Sequence, residues 1–319
     1  MAVMKKPSRN IDIYVKVAKK LGFKTERMQA TPTRKLLCIS NGKKFFMINT
    51  GTPGFYPEVS RWSATLTGSK LLTQKMLKRY GYKIISSHAV RFGDFKSKKE
   101  MVASVTKKHK VFPVLIKPDR GHDGKNIVII ENATQLKKVA KKHFDKKDDF
   151  IIQPILDQCE YRILVVNNKV MLMHSKHNLK ITGDGKSTIK ELLGKIDNSK
   201  KDPAFIKLEH KKHNTKPTTI LEKGTTFDYH LTKIPTDKFY ATKDFPKAAK
   251  KWAVKLAKDM STPILGIDVF IPKGFSDTST YTVIELNSNP AVYYLPFRCN
   301  DEVTGEKIVE KVITDYFKK

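Results

Sequence analysis

The chain has 319 residues, with 62 Lys and Arg against 31 Asp and Glu, a formal net charge of +31, and 39% apolar residues. It is long enough for a sizeable core shared among two or three subdomains. No uninterrupted apolar run approaches the ~20 residues of a membrane span, and Cys38, Cys159 and Cys299 are scattered without a Cys-x-x-Cys pair, which argues against a disulfide framework or zinc cluster.

In chain order, the opening Met1 to Lys6 lacks an apolar signal core, so a reducing, cytoplasmic setting is expected. Ile11 to Leu21 has apolar residues at helical spacing, and Lys35 to Ile39 and Lys44 to Ile48 read as a hairpin turned at Asn41-Gly42. Val114-Leu-Ile-Lys-Pro-Asp-Arg-Gly-His-Asp-Gly-Lys-Asn-Ile-Val-Ile-Ile130 is a strand, a short glycine-containing loop and a second strand. Asn132 to Phe144 is an amphipathic helix. Asp197 to Lys216 is polar and rich in Lys and His, either a substrate-facing insertion or a solvated loop and helix. Phe245 to Met260 and Glu302 to Phe317 are helices by periodicity, and between them lie Gly266-Ile-Asp-Val-Phe-Ile271 and Val283-Ile-Glu-Leu-Asn-Ser-Asn-Pro290.

Alternation along the last strand points Glu285 and Asn287 to one face. With Asp268 from a neighbouring strand they make an oxygen donor set suited to Mg2+, which shares its shell with substrate phosphates; a buried strand with polar edge residues would show the same short pattern. Gly121 and Gly124 between two β-rich runs allow backbone N–H groups to approach an anion, and Lys117 just before the loop can reach phosphate oxygens. The alternative there is a surface hairpin with a solvated lysine. His210 and His213 lack ligand partners at metal spacing, and His174 and His177 read as structural, with contact to phosphate or substrate as the alternative.

Taken together these segments resemble the ATP-grasp superfamily, closest to the branch of cyanophycin synthetase and bifunctional glutathione synthetase, over roughly residues 60 to 300. Ser69 to Gly81 resembles the helix that opens the module, Phe150 to Leu156 the linker strand, and Glu160 to Val166 and Asn167 to Met173 the strands that follow it, while Ile181-Thr-Gly-Asp-Gly-Lys-Ser-Thr-Ile-Lys-Glu-Leu-Leu193 is the most discriminating stretch. The resemblance implies an α+β fold in which two α+β subdomains clasp ATP: a small N-terminal α+β unit over 1–60, then the ATP-grasp module over 61–319, with a lid at about 86–172 and a large subdomain at about 173–319. It implies that Lys70 and Lys117 contact ATP phosphates and that Gly121, His122, Asp123 and Gly124 form a flexible lid loop. Gln153 and Ile155 fall at the adenine edge and Glu160 at the ribose. Asp268, Glu285 and Asn287 would hold one or two Mg2+ (or Mn2+) ions, with Arg162 and Arg298 as candidates for the acyl phosphate or the substrate carboxylate. Ser69 stands where the family has Asp, Gln153 where Glu is frequent, and Lys223 to His230 departs from the branch's substrate loop.

The activity so implied is carbon–nitrogen ligation, with a carboxylate activated as an acyl phosphate, an amine acceptor, and release of ADP and phosphate. Its partners are an amino acid, a peptide or an acidic protein or polymer, and the resemblance favours a homodimer. A field of this sign attracts polyanions, so a nucleic-acid-binding protein is the alternative. The lysines, however, occur as scattered doublets such as Lys137-Lys138 and Lys141-Lys142, without a basic tail or stacking motif.

Overall fold

The computed structural model describes residues 10–31, 34–49, 56–121, 126–156, 158, 160–176, 179–195, 203–229, 238–240, 242–290 and 305–318. The chain divides into two compact units, one of Met1–Ile84, Glu160–Ser175 and Lys238–Lys319, the other of Ile85–Cys159 and Lys176–Asp237. The first stretch holds helix α1 (Asn10–Lys20), strands β1 (Lys24–Thr31), β2 (Arg34–Ser40) and β3 (Phe45–Asn49), and helices α2 (Arg61–Gly68) and α3 (Lys70–Arg79). Then come β4 (His88–Val90), α4 (Lys98–Lys108), β5 (Val114–Pro118), β6 (Val128–Ile130), α5 (Ala133–Lys146) and β7 (Phe150–Pro154). β8 (Glu160–Val166) and β9 (Lys169–Lys176) precede β10 (Leu179–Thr182), α6 (Ile189–Gly194), α7 (Pro203–Lys212) and β11 (Thr226–Tyr229). The last stretch holds β12 (Lys238–Tyr240), α8 (Lys247–Asp259), β13 (Ile264–Phe270), β14 (Thr282–Asn287) and α9 (Gly305–Lys318).

The first unit is built on a five-stranded sheet of order β12-β9-β8-β13-β14. Asn167 and Asn168 turn β8 into β9 with positive φ at both positions, a conformation that Asn tolerates and a tight hairpin requires. Because successive side chains alternate, each face of this sheet has its own core. Ile163, Val165, Leu265 and Ile267 pack beneath Ala249, Ala253 and Leu256 of α8. Leu164, Val166 and Ile264 share a second core with Tyr14 and Val17 of α1, Leu37 and Ile39 of β2, and Val309 and Val312 of α9. Each buried Val, Leu or Ile side chain among these contributes about 1.5–3 kcal/mol. The segment expected as a separate unit over 1–60 therefore shares its core with strands from mid-chain and with α9. It also holds β1, which pairs antiparallel with β2 and was not anticipated from the sequence.

In the second unit, β4-β7-β5-β6 form a four-stranded sheet. Val114, Ile116, Phe150 and Ile152 face Met101 and Val105 of α4 and Leu136 and Ala140 of α5. A smaller core of Ile181, Ile189, Leu192, Leu193 and Leu221 joins β10 and α6, with Phe227 of β11 packed against it. The ion pair of Lys207 with Glu131, at 3.0 Å, links the two parts of this unit. Residues 160–172, expected in the lid, lie in the first unit's sheet, while 176–237, expected in the large subdomain, lie in the second unit. The physical reason is strand pairing: β8 hydrogen-bonds to β13 over its whole length, from Glu160↔Phe270 to Val166↔Ile264, and no local pattern announces a partner so far along the chain.

Candidate active site

Strand register builds the centre of the site. Arg162 on β8 lies opposite Asp268 on β13, which lies opposite Glu285 on β14, so the three side chains share one face of adjacent strands. Two positions along, Gly266 lies between Leu164 and Asn287. A Cβ at Gly266 would stand 3.3 Å from Pro290 Cβ and 3.5 Å from Arg162 Cδ, so the absence of a side chain there leaves room for the arginine stem to lie along the sheet. The Arg162 guanidinium donates from Nε to Asp268 Oδ1 and from Nη2 to Asp268 Oδ2, both at 2.5 Å. Asp268 is buried, with 5% of its surface exposed. A bulge in the β13–β14 pairing just past Asp268 breaks the alternation after the Asp268–Glu285 pair.

Lys70 reaches this row from α3, its Nζ 3.5 Å from Glu285 Oε1. Its position follows from Ser69, which caps α3 by accepting from Leu72 N at 3.1 Å, and from Thr73, whose hydroxyl donates to Leu66 O at 2.7 Å across the α2–α3 bend. Ser and Asp are both good N-caps, so the departure from the family pattern at residue 69 keeps the local geometry. Asn287 Oδ1 accepts from Asn289 N at 2.8 Å, and the turn that follows is held by Tyr56 Oη donating to Pro290 O at 2.8 Å and by a 2.7 Å bond between the Thr67 and Ser288 hydroxyls. Asn289 Oδ1 is buried without a hydrogen-bond partner. Sequence reasoning missed that oxygen, although its place two residues past Asn287 was a signal.

Among the described residues no group of three or more His, Cys, Asp or Glu side chains forms a metal site. The donors brought together here are two carboxylates and amide oxygens. They are hard oxygen ligands throughout, and they fit Mg2+ sharing its shell with phosphate. An unsatisfied buried acceptor beside them is consistent with that fit.

The second unit carries its own set. Leu115 pairs with Gln153 and Lys117 with Ile151 across β5 and β7, which puts Lys117 and Gln153 on one face, opposite the face that packs on α4 and α5. Gln153 is 2% exposed, yet its Nε2 has no hydrogen-bond partner. A buried amide N–H without an acceptor is costly and fits an acceptor supplied by a ligand. Ile155 follows β7 half-buried, whereas Glu160, half-buried at the start of β8, belongs to the first unit. β5 and β6 pair antiparallel as expected, and Gly121 is exposed at the start of the loop between them. His122, Asp123, Gly124 and Arg298 lie outside the described residues, as does His177.

The 181–193 stretch is a scaffold. Asp184 accepts from Lys186 N at 2.9 Å, from Ser187 N at 2.6 Å and from the Ser187 hydroxyl at 2.6 Å, and these bonds hold its carboxyl well below the usual range. Thr188 and Glu191 then form a capping box that starts α6. A Cβ at Gly183 would meet Glu222 O at 2.3 Å, so only glycine fits there. The His pair of the polar insertion is structural as well. His210 Nδ1 bonds the Thr215 hydroxyl at 3.0 Å, while His213 stacks on Phe227 and lies 3.3 Å from Glu209. His174 is buried on β9.

No family model matches the chain. It is 21% identical over 262 residues to the glutathione biosynthesis bifunctional protein of Listeria monocytogenes, covering 71% of this chain and 32% of that protein. It is also 34% identical over 96 residues to the cyanophycin synthetase of Synechocystis, covering 29% and 10%. In structure it matches the bifunctional glutathione synthetase of Pasteurella multocida with a TM-score of 0.56 and 18% identity, over 96% of this chain and 43% of the other. The chain has the ATP-grasp fold. The D-alanine–D-alanine ligase of Bacillus anthracis, another ATP-grasp structure, matches with a TM-score of 0.52 and 12% identity over 82% and 70%. This ATP-grasp chain spans about a third of the length of the first-named bifunctional protein. Among the described residues no helix is long and apolar enough to cross a membrane.

Proposed function

We propose that the chain is an ATP-dependent carboxylate–amine ligase that forms an amide through an acyl phosphate. The observation that carries this reading is the row Arg162–Asp268–Glu285, with Asn287 beside it and Lys70 on Glu285. Relatives named for glutathione and cyanophycin synthesis support the reaction class.

In the proposed reaction a carboxylate oxygen of the substrate attacks the γ-phosphorus of ATP and ADP leaves. The amine nitrogen then attacks the carbonyl carbon, phosphate leaves, and the nitrogen gives up a proton. Asp268, Glu285 and Asn287 would hold Mg2+, which when bound neutralises charge on the phosphoryl group. Lys70 and Lys117 are assigned to the phosphates, Gln153 and Ile155 to the adenine, and Glu160 to the ribose. Arg162, fixed by Asp268, would orient the acyl phosphate or the substrate carboxylate, with Arg298 as a second candidate. Gly121 to Gly124 would cover the phosphates and exclude water, because an exposed acyl phosphate hydrolyses.

The test is ADP release from MgATP in the presence of pooled amino acids, dipeptides and small dicarboxylates, with Glu285→Gln as the control. Release that needs a pool and disappears in the variant supports a small-molecule ligase. Silence with MgATP binding intact moves the acceptor to an acidic protein or polymer, and absence of MgATP binding overturns the reading.

A further inference from the structure

The outer side of α8 carries Lys247, Lys250, Lys251, Lys255 and Lys258, spaced so that they stack on neighbouring turns. This is an unfavourable arrangement for a helix. Pro246 caps it without a side-chain hydrogen bond, its first turn contains no acid, and lysines there oppose the helix dipole. Like charges at i,i+4 (Lys247, Lys251 and Lys255) repel in addition. Lys255 is paired with Asp259 at 2.5 Å. Among the described residues no carboxylate pairs with Lys169, Lys250, Lys251 or Lys258.

These lysines border a groove of about 590 Å3 between α8 and the start of β9. Lys169 closes it from the strand side, Asn168 and Thr242 add hydrogen-bonding groups, and Val170 and Val254 form an apolar floor. The groove is separate from the candidate active site. α8 covers the sheet face of Ile163 and Val165, whereas Arg162 and Asp268 lie on the other face, and the Asn167–Asn168 turn ends β8 at the end away from Arg162.

We infer that this groove docks an acidic polypeptide segment, with glutamate or aspartate carboxylates on the lysine rim and aliphatic side chains on the valine floor. The lining favours this partner over a nucleic acid. Among its described residues the lining has no arginine to clamp phosphate in two-pronged fashion and no aromatic ring on which a base could stack. A phosphodiester backbone has no apolar group for the floor, and a peptide does. The size is that of sites which enclose small ligands or short chain segments. A bound acidic segment would also relieve the repulsion along α8. The inference concerns binding alone and stands whether or not the chain is a ligase.

The test uses the whole chain and a short fluorescent peptide alternating glutamate and leucine, followed by anisotropy at rising salt. A groove variant, Lys169→Glu with Lys251→Glu and Lys258→Glu, is compared with a control of equal net charge, Lys99→Glu with Lys138→Glu and Lys190→Glu on the second unit. The expected result is salt-sensitive binding that weakens about tenfold or more in the groove variant, stays within about twofold in the control, and exceeds binding of an all-glutamate peptide. Equal losses in both variants would mean that only global charge acts and would overturn the inference. So would a DNA duplex that binds more tightly than the peptide and depends on the same three lysines. MgATP binding measured on the same variants, and expected unchanged, separates failure of the groove from failure of the ligase reading and shows that both variants are folded.

Discussion

Arg162 and Asp268 face each other across antiparallel strands and are joined by two contacts of 2.5 Å, which ties a buried carboxylate to a guanidinium before any ligand arrives. Removing the arginine takes away the guanidinium that binds both oxygens of that carboxylate. Arg162→Ala is therefore expected to lower stability by about 3 kcal/mol, as for other broken buried pairs. Millimolar Mg2+ should recover part of the deficit, because a cation on Asp268 replaces the lost charge. Urea unfolding with and without Mg2+ measures both, and a loss that Mg2+ leaves untouched would count against Asp268 as a metal ligand.

Lys70 and Glu285 form a longer contact, 3.5 Å, with Glu285 more than a third exposed. Such a pair adds little to stability. Lys70→Ala and Glu285→Gln should keep the wild-type melting temperature while reducing ATP turnover by about 10²–10³, the scale for losing one group that stabilises transition-state charge. Steady-state ADP release together with a thermal melt separates the two effects.

Gln153 offers a sharper contrast, because its buried Nε2 lacks an acceptor. Gln153→Leu removes an unsatisfied donor, so stability should hold or rise by about 1 kcal/mol. ATP affinity should fall about tenfold if that N–H meets the adenine edge. Isothermal titration with ATP and a denaturant curve on the same variant decide it; unchanged affinity would detach Gln153 from the nucleotide.

At Gly183 the neighbouring Glu222 carbonyl leaves no space for a methyl group. Gly183→Ala is expected to destabilise the small core of the second unit by about 2–3 kcal/mol, the upper range for overpacking. Hydrogen exchange should report the loss first at Ile181 and Leu221.

His88 and His109 stack, with Nδ1 of the first 2.8 Å from Nε2 of the second and Lys108 Nζ 3.3 Å from His88 Nε2. Burial, then Lys108 and His109, push the His88 imidazole down to about 4, and burial and Lys108 lower His109 in the same direction. Both bind protons less readily folded than unfolded. Their contribution is thus present above the ordinary value of 6.5 and is lost as pH falls from there through about 4. Urea midpoints across that window should decline in the wild type and decline less in His88→Gln.

Local chemistry was legible in the sequence. The helix at Ile11 to Leu21, the Asn41-Gly42 hairpin, and the strand that puts Glu285 and Asn287 on one face follow from spacing and turn residues. The match of Asp268 to Glu285 and of Arg162 to Asp268 did not, since register between strands joined by long connections is set by packing and not by neighbours in the chain. Arg162 could be named as a candidate, but its fixed partner could not. Nor could β8 be assigned to its sheet: an apolar run such as Ile163 to Val166 reads the same whichever sheet receives it.

The first unit is assembled from three separated stretches of chain, and its helix α1 meets α9 through Lys16 and Glu306, 290 positions apart. On a ribosome, β8 would emerge long before β13 and β14 exist to pair with it, while the sheet of the second unit, all within 88–154, would already be whole. Folding during synthesis should therefore begin in the four-stranded sheet of the second unit, leaving the apolar faces of α1 and β8 in need of shelter until α9 is made.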